Sequence, residues 1–134
     1  MMFKKCGFIP VDMEGNASGV SNNYDAKTFR AVLKGVKKAT EDGFDVGVLP
    51  EGQLNPRFQE GLLECYQGAW KMAKLTRGEV EIIGIKGTGR IWHADKGVVG
   101  EGRIVEVRRW GKGIQDPEEG AEEFKRIVGE YGKG

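Results

Sequence analysis

A chain of 134 residues holds one domain, or part of one, and leaves no room for two independent hydrophobic cores. Apolar residues at 39% and charged residues at 31% suit a globular protein and exclude wholesale disorder, while 21 basic against 20 acidic residues give no support to nucleic-acid binding driven by net charge. The 22 glycines, about twice the usual share, imply many tight turns without low complexity.

In chain order, Gly7 to Met13 carries Phe8, Ile9, Val11 and Met13 and reads as a short strand, with Pro10 marking an edge or a strand end. Gly15 to Asn23 is a loop of Gly, Ser and Asn. From Tyr24 to Asp42, Phe29, Val32, Leu33 and Val36 recur at helical spacing, and Gly43 stands where a C-terminal glycine belongs. Val46 to Leu49 is a strand-like apolar run ending at Pro50. A second helix is expected over Gln59 to Leu75, with Leu62, Leu63, Tyr66, Ala69, Trp70 and Ala73 on one face. Strands are expected over Val80 to Ile85, Arg90 to His93 and Arg103 to Trp110, parted by turns at Gly97, Gly100 and Gly102. The last helix opens on Asp116 as N-cap with Pro117 at its first position, and buries Ala121, Phe124, Ile127 and Val128. Strands alternating with helices predict an α/β fold, a mixed and largely parallel sheet flanked by helices with a more antiparallel segment following.

Cys6 and Cys65 lie far apart and neither has a paired-ligand spacing, so no disulfide scaffold and no metal site is expected. No stretch approaches the roughly 18 apolar residues that cross a bilayer. Phe8 and Ile9 follow the start so directly that the chain reads as truncated at its N-terminus.

The most informative segment is Val46-Gly47-Val48-Leu49-Pro50-Glu51-Gly52-Gln53-Leu54-Asn55. An apolar run ending in Pro-Glu-Gly would put a carboxylate and an open backbone at the carboxyl end of a strand, where open α/β sheets place their ligands. An ordinary turn with a solvated Glu51 satisfies the same spacing. Leu49-Pro50-Glu51-Gly52 resembles the Phe-Pro-Glu-Gly-Thr-Arg block of the glycerolipid acyltransferases, the family that includes the 1-acyl-glycerol-3-phosphate acyltransferases. Other blocks agree in order. Gly7-Phe8-Ile9-Pro10-Val11 is similar to the family's Gly-x-Ile-Phe-Ile block, and Glu41-Asp42-Gly43-Phe44 to its lead into the motif. Phe58 with Gly61, ahead of Ala69-Trp70-Lys71-Met72-Ala73, looks like its Phe-x-x-Gly and following helix, and Ile82-Ile83-Gly84-Ile85 stands where it has a Val-Pro-Val strand. The resemblance runs from about Gly7 to Trp110, and the helix of about residues 116–131 follows it within the one partial domain of residues 1–134.

The departures matter as much. The family's catalytic His-x-x-x-x-Asp block is absent, and the only histidine, His93 in His93-Ala94-Asp95, has the wrong spacing and the wrong side of the motif. No catalytic residue is therefore assigned. Gln53-Leu54-Asn55 replaces Thr-Arg-Ser, so the arginine expected to meet the acceptor's phosphate is missing, and Asp12-Met13-Glu14 follows the first block instead of an arginine. Arg57 could stand in, because a guanidinium binds phosphate bidentately. The proline of Val-Pro-Val is replaced at Gly84.

The resemblance implies acyl transfer from acyl-CoA or acyl carrier protein to a lysophosphatidate-type hydroxyl. It assigns Glu51, Gly52 and Arg57 to acceptor binding, requires no cofactor beyond the thioester co-substrate, and implies association with a membrane surface. A hydroxyl is a poor nucleophile until a base takes its proton, so this chain alone should bind better than it reacts. Two alternatives stay open: a non-catalytic lipid- or acyl-carrier-binding relative, and an unrelated α/β binding module with a coincidental Pro-Glu-Gly. Lys27, Arg30, Lys34, Lys37 and Lys38 form a basic side of the first helix that suits either anionic headgroups or plain solvent.

Overall fold

The computed structural model describes Gly7, Ile9 and residues 26–93, 95–98 and 104–133. The expected strand over Gly7 to Met13 and the loop over Gly15 to Asn23 lie, but for Gly7 and Ile9, outside the described residues, as do Cys6, Gly100 and Gly102. The chain divides into two units, Met1–Val48 and Leu49–Gly134.

In the first unit, helix α1 spans Ala26–Glu41 and buries Val32 and Val36. Its end is a Schellman motif: Gly43 takes φ +86°, its N–H donates to the Thr40 carbonyl, and the Phe44 N–H donates to the Ala39 carbonyl. The basic side is exposed but partly neutralised, since Lys37 lies 3.9 Å from Glu41 and Lys38 3.0 Å from Asp42 across one turn. Val46 to Leu49, expected as a strand, runs without regular structure.

The second unit holds the remaining elements: a 3-10 turn at Phe58–Glu60, helix α2 at Gly68–Thr76, strand β1 at Glu81–Lys86, a single helical turn α3 at Thr88–Ile91, strands β2 at Trp92–His93, β3 at Gly97–Val98 and β4 at Glu106–Lys112, and helix α4 at Pro117–Gly132. The N-terminus of α4 is as its sequence predicts. The Asp116 carboxylate accepts from the Glu118 and Glu119 N–H groups, each at 3.1 Å, with Pro117 behind it. Ala121 and Val128 of α4 are buried, together with Gly120 and Gly129, while Phe124 and Ile127 are half-buried.

Both sheets are two-stranded and antiparallel, β1 with β4 and β2 with β3, and no parallel pair occurs among the described residues. The chain is α/β in the general sense of mixed helices and strands, without the largely parallel sheet expected from the alternation of elements. The burial of β1 explains the difference. A strand of a parallel sheet is covered on both faces. Here Ile82 and Gly84 are buried while Ile83 and Ile85 stand about half exposed, so only one face is covered. A bulge between Ile82 and Ile83 shifts the register, pairing Ile82 with Gly111 and Ile83 with Arg109.

The covered face packs on α4, and α4 in turn on α2, through aromatic rings set against glycines. Trp70 of α2 is 1% exposed, meets Phe124 edge-on at 6.0 Å, and rests on Gly120 of α4. Its buried indole N–H has no hydrogen-bond partner among the described residues, so packing holds the ring. Trp110 meets Tyr131 edge-on at 5.2 Å above Gly84, where a Cβ would lie 2.7 Å from Trp110 Cζ3. Arg108 lies over Trp110 and Lys86 over Tyr131, capping the pair at both ends with cations.

Candidate functional site

The Pro-Glu-Gly segment folds as a closed loop from Leu49 to Leu63, fastened from inside. Gly52, at φ +65°, donates its N–H to the Leu49 carbonyl at 3.1 Å and makes the first turn. The Glu51 carboxylate then turns inward. Its Oε2 accepts from the Leu63 N–H at 2.9 Å and from Asn55 Nδ2 at 3.3 Å. Asn55 in turn donates Nδ2 to the Gly61 carbonyl at 2.8 Å, and its Oδ1 accepts from the Arg57 N–H at 2.9 Å, an Asx turn set up by the Asn55-Pro56 pair. A last bond from the Tyr66 N–H to the Pro50 carbonyl, 2.9 Å, closes the base of the loop.

This fastening explains why the expected helix over Gln59 to Leu75 starts only at Gly68. Apolar spacing favours a continuous helix, but the Leu63 and Tyr66 N–H groups donate to Glu51 and Pro50 instead of to carbonyls one turn back. Gly61, at φ +116°, also breaks the run. Phe58 to Glu60 therefore make only a 3-10 turn.

The three residues assigned to acceptor binding thus share one loop and occupy different places in it. Gly52 is exposed at the outer turn. Glu51 is half-buried with its carboxylate engaged, which differs from the solvated or ligand-facing carboxylate that spacing suggests. Arg57 is exposed, and its guanidinium lies 3.8 Å from Glu60 in a surface pair of about 0–1 kcal/mol that an anionic ligand can displace. Asn55, which in sequence only marks a departure from Thr-Arg-Ser, is the hub joining Glu51 to Arg57. An Asn before Pro between two turn-forming segments was the available signal.

Beneath the loop lies Cys65, 7% exposed. Burial, and secondly the charge of Glu51, push its thiol from 9.0 up to about 11, which favours the neutral thiol over the reactive thiolate at neutral pH. On the other side Phe58 presses on Gly89, where a Cβ would lie 2.6 Å from the ring, and meets His93 edge-on at 5.9 Å. His93 Nδ1 accepts from the Asp95 N–H at 3.1 Å. That bond fixes the ring within its own hairpin. Among the described residues no group of three or more His, Cys, Asp or Glu side chains could hold a metal ion, and no helix is long and apolar enough to cross a membrane.

No family model, curated protein or solved structure matches the chain.

Proposed function

We infer that this chain carries the acceptor-holding portion of a glycerolipid acyltransferase of the 1-acyl-glycerol-3-phosphate type, and that transfer from acyl-CoA or acyl carrier protein requires a base supplied by a His-x-x-x-x-Asp segment that this sequence lacks. The observation that carries the inference is the internal fastening of the Pro50-Glu51-Gly52 loop. The block in which the resemblance is most specific is a preorganised unit, with Glu51 spent on shape, Gly52 leaving the outer turn open, and Arg57 offering a guanidinium to the solvent. Glu51 is on this view a positioning residue and Arg57 the phosphate contact. Preorganisation lowers the ordering cost of binding a small anionic headgroup. The largely parallel sheet of such a domain would be completed by strands beside Val46 to Leu49, and a membrane surface would present the acceptor.

The test is binding of a short-chain, monomeric lysophosphatidate to the 134-residue protein by calorimetry. Binding that Arg57→Ala weakens roughly ten- to hundredfold, the equivalent of one charge-assisted contact, supports the inference. Wild-type protein that ignores the lipid counts against it. A second reading, a lipid- or acyl-carrier-binding relative that dispenses with the base, is favoured by the engagement of His93 in its own hairpin. The gene sequence upstream of Met1 separates the two: an in-frame His-x-x-x-x-Asp favours the enzyme, and a stop codon directly upstream favours the binding protein.

A further inference from the structure

The hairpin of β2 and β3 has two unlike faces. Trp92 pairs with Val98 and His93 with Gly97, so alternation puts Trp92 and Val98 on one side and His93 on the other. The His93 side is seated on Phe58 of the Pro50 to Leu63 loop. The opposite side is bare: Trp92 is 68% exposed and Val98 67%. Arg90 and Lys96 flank it, both exposed and neither in an ion pair among the described residues. Asp95 is the one acid between Thr88 and Val98.

Size and charge decide what covers this face. A Trp and a Val together offer at most a few hundred Å² (roughly), far short of the roughly 1,000 Å² that a specific protein interface must bury. A bilayer makes no such demand. Indole settles at the headgroup level of a membrane, a small apolar residue beside it enters the acyl boundary, and two unpaired cations suit anionic headgroups. We propose that the Trp92–Val98 face of the hairpin is an interfacial anchor that inserts into an anionic lipid surface and, through the His93–Phe58 contact, holds the Glu51 loop beside it. The choice of a lipid partner rests on the acyltransferase reading; the anchor itself does not depend on any transfer taking place.

The test uses the full chain with vesicles of phosphatidylcholine alone and of phosphatidylcholine with phosphatidic acid. Sedimentation measures partition, and quenching of tryptophan emission by bromine-labelled lipid measures insertion. Trp70 is buried and Trp110 is partly covered and edge-on to Tyr131, so Trp92, 68% exposed, is the ring most open to lipid. Binding to the anionic vesicles with quenching is expected. Trp92→Ala should lower partition about tenfold or more and abolish quenching, and Lys96→Glu should lower partition on anionic vesicles about fivefold or more while leaving neutral ones unchanged. Leu75→Ser, at a comparably exposed leucine of α2, should change neither, and the melting curve of each variant shows whether it folds. Absence of vesicle binding, binding indifferent to Trp92→Ala, or equal loss in the folded Leu75→Ser variant overturns the proposal. Because no transfer is measured, a failed anchor leaves the calorimetric test of the lysophosphatidate site standing, and a failed site leaves the anchor standing.

Discussion

Replacing Glu51 by alanine removes the acceptor of two donors that hold the Pro50 to Leu63 loop closed. The Leu63 N–H bond at 2.9 Å is the stronger; the Asn55 bond at 3.3 Å is long, and Asn55 keeps its second contact to Gly61. A hydrogen bond to a charged acceptor contributes about 1.5–3 kcal/mol, and because the site is half-buried and water can reach the freed N–H, the lower end applies. Glu51→Ala should therefore cost about 2 kcal/mol and lower Tm by about 5–10 °C for a domain of this size. A solvated turn carboxylate would give within about 0.5 kcal/mol of nothing. Glu51→Gln retains an oxygen for Leu63 and should cost less than half as much. Asn55→Ala shares the network, so the double variant should fall short of the sum of the singles. Thermal and urea melts measure the cost, and hydrogen exchange at the Leu63 amide places it: exchange should quicken in Glu51→Ala with little change in α4. An unaltered melt and an unaltered Leu63 amide would refute the inward role of Glu51, and with it the view that the loop is preorganised.

The remaining predictions concern the core, the buried thiol and the chemistry. Gly120→Ala, which in an exposed helix interior would stabilise by up to about 1 kcal/mol, should instead destabilise by about 1–3 kcal/mol, since the new Cβ would lie 2.5 Å from Trp70 Cδ1 and 2.6 Å from the Ile114 carbonyl oxygen; near-UV circular dichroism and a urea melt read the displaced indole. With Cys6 replaced by serine, Cys65 should resist alkylation at neutral pH until the protein unfolds. Because its pKa in the fold, about 11, lies above the ordinary 9.0, its contribution to stability is complete below pH 9.0 and is lost as pH rises towards 11, where the unfolded chain alone releases the proton; a Cys65→Ala protein should lose less stability over that window. The purified chain, given acyl-CoA and lysophosphatidate, should show no transfer above background, and robust turnover would sink the requirement for an added base.

What the sequence makes legible here is what neighbouring residues decide among themselves. Gly43 ends α1 because the left-handed turn after a helix needs no partner from elsewhere, and Asp116 with Pro117 starts α4 for the same local reason. The strand at β1 is legible too, from its isoleucines, but its pairing with β4 is not, since antiparallel and parallel neighbours accept the same apolar run and only coverage of the second face tells them apart. The expected strand at Val46 to Leu49 has no pairing strand among the described residues, and a strand is a property of a pair. The over-long second helix fails through a contact twelve residues away in sequence, Glu51 with Leu63, that periodicity has no means of expressing. Within the candidate site the motif residues were visible as types, while the role of Asn55, on which their geometry turns, showed only as an Asn-Pro turn signal.

The glycines carry the same lesson into the packing. Their excess reads in sequence as a surplus of turns, and some serve so: Gly43 and Gly52 both take positive φ. Several others do something a turn count cannot reveal, which is to bring backbone within reach of a large side chain. Trp70 lies on Gly120, Trp110 and Tyr131 on Gly84, Ile82 on Gly113 and Phe58 on Gly89, each at a place where a Cβ would collide. A small unit gains core in this way, since each ring buries its face against main chain instead of waiting for a second side chain to meet it. At Gly84 any side chain would displace Trp110 and Tyr131. At Gly89 the device reaches the candidate site itself. The missing Cβ lets Phe58 sit against α3 and meet His93, so the fastened loop that carries Arg57 and the hairpin that carries Trp92 pack on each other through these two rings.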